Sequence, residues 1–92
     1  MADRFDWDEA KRRSNLSKHG YDFARAADAL WQRAYFHESQ WVDDEAREVI
    51  FLPLDGNIIA IVAVLLDDDG VRLISMRRAT KREQGLYYVK TS

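Results

Sequence analysis

Asp55-Gly56-Asn57-Ile58-Ile59-Ala60-Ile61-Val62-Ala63-Val64-Leu65-Leu66-Asp67-Asp68-Asp69-Gly70-Val71-Arg72-Leu73-Ile74-Ser75-Met76-Arg77 is the stretch that decides the fold. It opens on Asp-Gly-Asn, a turn that joins two antiparallel strands. The nine residues 58–66 are all apolar, as in a central strand covered on both faces or packed at an interface. Three aspartates and Gly70 make the next turn. Alternation then resumes, with Val71, Leu73, Ser75 and Arg77 on one face and Arg72, Ile74 and Met76 on the other. Arg72 and Arg77 therefore point to opposite faces unless a bulge intervenes.

Residues 45–54 read as the preceding strand, and Pro53 marks it as an edge or as ending there. Ala34-Tyr35-Phe36-His37 reads as another, followed by a loop over residues 39–44 that exposes Trp41. Further upstream, Asp22 is placed to cap a helix whose Phe23, Ala26, Ala27, Leu30 and Trp31 recur at amphipathic α-helical spacing. Phe5-Asp6-Trp7 is a short strand candidate. Asp8 then caps a helix from Glu9 that ends at Lys18-His19, with Gly20 in the left-handed position; its thin apolar stripe predicts a surface helix. Downstream, Thr80-Lys81-Arg82-Glu83 is a capping box opening a final helix from Lys81 to about Tyr88. The order β-α-α-β-β-β-β-α predicts an α+β fold, a small antiparallel sheet with helices packed on one side.

A chain of 92 residues is expected to form one domain, residues 1–92. With 47% hydrophobic and 33% charged residues it can build a core and is not disordered by composition. The absence of cysteine excludes a disulfide scaffold, a thiolate metal site and a cysteine nucleophile. Two histidines far apart argue against any metal site, and nothing calls for a cofactor. No apolar run approaches the roughly 20 residues that cross a bilayer. The charged amino-terminal run is not a signal peptide, so a cytoplasmic, soluble protein is expected. Charge is unevenly distributed. Residues 37–70 carry nine acidic side chains against Arg47 alone, whereas residues 71–92 carry six basic ones against Glu83 alone. Such a basic block suits a polyanion or an acidic partner, or is simply a solvated face.

The run Phe5-Asp6-Trp7-Asp8-Glu9-Ala10-Lys11, then Asn15, Lys18-His19-Gly20 and Phe23-Ala24-x-Ala26, resembles the opening of the BrnT toxin family. The closing block resembles it too, with Val71-Arg72-Leu73-Ile74-Ser75-Met76-Arg77-x-Ala79-Thr80-Lys81-x-Glu83 and Tyr87-Tyr88 beyond. Between them Glu45-x-Arg47 stands where that family has an acidic residue followed by arginine. The resemblance implies a RelE-like fold and a ribonuclease that halts translation. It also implies a BrnA-type ribbon-helix-helix antitoxin, through which the complex would reach promoter DNA, as a homodimer or as a heterotetramer with the antitoxin. An antitoxin segment or a second copy would then cover one face of the apolar strand 58–66.

Metal-independent cleavage of RNA through the 2′-hydroxyl needs a base, a cation at the phosphorane-like transition state and an acid for the leaving 5′-oxygen. Arg77 suits the cation role, because its planar fork matches phosphate oxygens. His19 and Glu83 are the proton-handling candidates. His19 reads equally as a helix C-terminal residue complementing the dipole, and Glu83 as the capping-box residue. Lys18, Arg47, Arg72, Lys81, Arg82 and Tyr87 are candidate RNA contacts, with Arg72 read equally as the partner of Asp67–Asp69 or Glu48. Trp7, Phe23 and Trp31 read as core. The alternative function is a non-catalytic protein-binding module that acts as co-repressor with a DNA-binding antitoxin.

Overall fold

In a computed structural model that describes residues 4–92, Asp55 and Gly56 take φ of 51° and 80°, the left-handed pair that a tight hairpin requires. The first three residues of the charged amino-terminal run lie outside the described residues. The elements are β1 (Arg4–Asp6), α1 (Glu9–His19), β2 (Tyr35–Val42), β3 (Glu45–Leu54), β4 (Asn57–Leu65), β5 (Gly70–Arg78) and α2 (Lys81–Thr91). Strands β2 to β5 form the antiparallel meander read from the sequence. No helix among the described residues is long and apolar enough to cross a membrane.

The five strands lie in the order β1-β5-β4-β3-β2, and β1 joins β5 in parallel, so the sheet is mixed rather than antiparallel. A three-residue strand has no pattern that sets its direction; its pairing follows from where Phe5 can reach the core. The helices are not confined to one side either. On one face Phe23, Ala26, Ile50, Leu52, Ile59, Ile61, Leu73 and Met76 form a buried cluster. On the other, Val49, Phe51, Ile58 and Ala60 pack with Ala79 and Tyr87 at α2. The centre of strand β4, Ile58 to Ala63, is thus covered on both faces by its own chain, while Leu65 at its end stays 49% exposed. Each fully buried Ile of that strand contributes about 1.5–3 kcal/mol.

The expected second α-helix is instead a pair of 3-10 segments, Phe23–Asp28 and Trp31–Arg33. Phe23, Ala26 and Ala29 are buried while the residues between them are exposed, a period of three rather than 3.6. The Ala29 N–H turns to the Ala26 carbonyl, and the Leu30 N–H leaves the segment for the Pro53 carbonyl. Pro53 itself lies past Phe51, the last β3 residue paired with β2, where its missing N–H costs no ladder bond. Strand β2 also runs further than expected. Trp41 lies within it, 73% exposed, and the reversal is made by Asp43 and Asp44, both at positive φ.

Capping follows the sequence. The Asp8 carboxylate accepts from the Lys11 N–H at 3.0 Å, and Gly20 ends α1 at φ 76°. At α2, Thr80 Oγ1 accepts from the Glu83 N–H, and a Glu83 carboxylate oxygen accepts from the Thr80 N–H.

Helix α1 is fastened to the sheet by one polar side chain. Strand β1 covers only Gly70, Val71 and Arg72 along the outer edge of β5. Beyond them, Asn15 Oδ1 accepts from the Met76 N–H at 3.0 Å, and Asn15 Nδ2 donates to the Met76 carbonyl at 2.8 Å. Nδ2 also donates to the Tyr21 carbonyl at 2.9 Å. The amide reproduces the bonding of one strand residue at an edge that would otherwise be orphaned. Asn15→Ala should lower unfolding free energy by about 2–4 kcal/mol, because buried backbone groups lose their partners. Equilibrium urea denaturation will measure it, and a loss within error of a surface substitution would contradict this role.

Candidate functional site

A β-bulge brings together side chains that strict alternation would separate. Val62 pairs with Ser75 but Ala63 pairs with Leu73, which leaves Ile74 as an extra residue in β5. Arg72, Ser75 and Arg77 now stand opposite Val64, Val62 and Ala60, alternate residues of β4 on one face. The expectation that Arg72 and Arg77 face opposite ways is therefore corrected, by the bulge.

Beside the bulge lies a concavity of about 310 Å³ between α1 and the sheet. Lys11, Ser14 and Lys18 reach it from one stripe of α1, with His19 at the helix end, Ser75 below and Arg47 from β3. Among the described residues, no carboxylate lines it. Arg47 is the most constrained of the cations. Its Nε is buried without a hydrogen-bond partner, and lies 3.5 Å from a Glu45 carboxylate oxygen. A guanidinium with an unmet donor, beside two lysines, is a place prepared for an anion.

Arg77 and Glu83 are held by each other. Arg77 Nη1 and Nη2 donate to the two Glu83 oxygens at 2.7 and 2.9 Å, a bidentate pair joining the end of β5 to the first turn of α2. Nη1 also donates to the Arg78 carbonyl. The Arg77 fork, with the Thr80 N–H beside it, holds the Glu83 carboxyl down at about 2. The same pair raises the Arg77 guanidinium above its ordinary value. Such a carboxylate is a poor proton acceptor near neutral pH, and both ends of the Arg77 fork are engaged by it.

A family model described as "Ribonuclease toxin, BrnT, of type II toxin-antitoxin system" matches residues 7–83. The chain belongs to the BrnT toxin family. The crystal structure of the Brucella abortus ribonuclease toxin BrnT is similar to it, with a TM-score of 0.62 and 29% identity, covering 85% of this chain and 97% of that one. A search of curated proteins finds no match to the chain. The α+β architecture and the kinship to ribonuclease toxins with an antitoxin partner thus rest on both sequence and fold.

In this BrnT-family chain, Lys18, His19 and Arg47 come together although 28 positions separate His19 from Arg47 in sequence. Arg72 lies outside that concavity; it bonds Asp6 at 3.2 Å, not the aspartates 67–69 or Glu48, and both partners are about half exposed. Lys81 and Arg82 are exposed on the first turn of α2 and do not line the concavity either. Tyr87, expected as an RNA contact, is buried. It is 3% exposed, and its hydroxyl donates to the Arg33 carbonyl at 2.7 Å, which removes it as a stacking platform. Lys11 and Ser14 were missed as site residues, although their spacing to Lys18 along α1 places all three on one stripe.

Glu83→Gln keeps the capping box but removes the charge of the pair, and should cost about 1 kcal/mol at neutral pH. The Glu83 pKa is lower folded than its ordinary 4.5, so the pair's contribution is full above about 4.5 and is lost as pH falls toward about 2. Thermal melts across that window should show a flatter acid limb in the variant. Parallel limbs would show that the pair carries no linkage.

Proposed function

We propose that this chain is a single-domain, RelE-like endoribonuclease toxin that works without a metal, inhibits translation and is neutralised by a ribbon-helix-helix antitoxin. The observation that carries the site assignment is the concavity that Arg47 lines together with Lys11, Lys18 and His19, with no carboxylate among the described residues that line it. A phosphodiester supplies the acceptors that this arrangement lacks. Cations stand where the carboxylate ligands of a catalytic metal would be needed.

Arg47 and Lys18 hold the non-bridging oxygens and stabilise the charge that grows on them when the 2′-oxygen attacks phosphorus. An imidazole ring has one nitrogen that can accept a proton and one that can donate, so His19 at the end of α1 is the group that exchanges the proton. The 2′-oxygen–phosphorus bond forms and the bond to the 5′-oxygen breaks; the 2′ proton passes to His19, the leaving 5′-oxygen takes a proton from water, and His19 then gives its proton to the hydroxide so formed. A cyclic 2′,3′-phosphate results. The Arg77–Glu83 pair takes no part in the proton transfers and instead holds α2 against the end of β5.

Arg47→Ala should lower RNA cleavage by on the order of 10²–10³, with His19→Ala comparable and Glu83→Gln close to wild type. Induction of each variant without antitoxin, read as growth and RNA integrity, tests this, and purified protein should cleave RNA equally with or without EDTA. Growth arrest that survives Arg47→Ala would move the site elsewhere. No arrest by the wild-type chain would favour the co-repressor reading.

A further inference from the structure

On the face of the sheet opposite the cationic concavity, the end of the meander away from α2 is left partly bare. Alternation places Trp41, Ala46, Leu65 and Val71 in one row across four strands, on the face that carries Ile50 and Ile61. Phe36 lies on the same face, opposite Ile50. Of these, Phe36 and Leu65 are each 49% exposed and Trp41 is 73% exposed. Trp31, Phe36, Leu65, Leu66 and Val71 line a groove of about 300 Å³ there, with Asp69 at its margin. Contiguous exposed aromatic and aliphatic groups of this size mark an interaction surface.

The surrounding charge identifies the occupant. Asp67 shares the turn with Asp69, Asp68 between them is paired with Arg4 at 2.7 Å, Glu48 stands on the same face, and Asp43 and Asp44 close the β2–β3 hairpin beside Trp41. The one basic residue of the segment 37–70, Arg47, projects to the opposite face. We infer that this groove docks a cationic amphipathic helix of a protein partner, whose apolar stripe covers Phe36, Leu65 and Trp41 while its lysines and arginines meet the acidic margin. A second copy of this chain is the poorer occupant, because it would set two acidic margins against each other. The inference stands apart from the RNA-cleavage proposal, since the groove and the concavity lie on opposite faces and share no residue.

A helical peptide of about five turns, with a Leu/Phe stripe flanked by Lys and Arg, is titrated into the isotope-labelled chain, beside a control with the same stripe and Glu flanks. The expected result is displacement of the Trp31 and Trp41 indole and Leu65 amide resonances with the His19 ring unmoved. Binding should be about tenfold tighter than for the control and weaken with added salt. Leu65→Ser should abolish it, and Asp67→Asn with Asp69→Asn should narrow the difference between peptides, both with the spectrum of α1 unchanged. Equal binding of the two peptides, no movement at Trp41 and Leu65, or sedimentation showing a dimer that Leu65→Ser disperses would overturn the inference.

Discussion

The outer edge of β5 past Arg72 has no neighbouring strand, and the amide of Asn15 stands in for one. Buried backbone groups must find partners, so this contact sets how close α1 can lie to the sheet. Lys11, Ser14 and Lys18 flank Asn15 on the helix, and the amide thereby fixes which side of α1 faces the concavity. The third bond, to the Tyr21 carbonyl, ties the chain just past Gly20 to the same point and aims Phe23 at the core. A helix with as thin an apolar stripe as α1 has little else to hold it in register.

The sheet also acts as a partition between charges of opposite sign. Apolar rows under the 3-10 segments and under α2 close both faces near its centre, so that each open end develops its own character. One face gathers Arg47 with the lysines of α1, and the other an aromatic row bordered by aspartates. The small net charge of −2 conceals this separation.

Much of the framework was legible because its causes are local. The Asp8 and Thr80 caps, the left-handed Gly20 and the Asp55-Gly56 turn depend on atoms a few residues apart. The segment after Asp22 shows where such reading fails. Phe23 and Ala26 suit an α-helix and a 3-10 helix equally, and burial of Ala29 with the Leu30–Pro53 bond selects the tighter form. Tyr87 and Trp41 could not be placed by residue type alone. The first is buried by its reach to Arg33, and the second is left bare because β2 is an outer strand.

By itself, the amino-acid order determined the α+β class, the four-strand meander, the helix ends and the kinship to the BrnT family, since these rest on periodicity, short-range caps and ordered motifs. Only the tertiary structure decided the parallel seat of β1, the helices on both faces, the bulge at Ile74 and the company each charged residue keeps. Arg77 and Glu83 read as separate groups in the sequence and are joined as one ion pair between β5 and α2, while Arg47 acquired its neighbours from a helix far upstream. A charged side chain's role is set by the groups around it in space, and a one-residue bulge is enough to change that set.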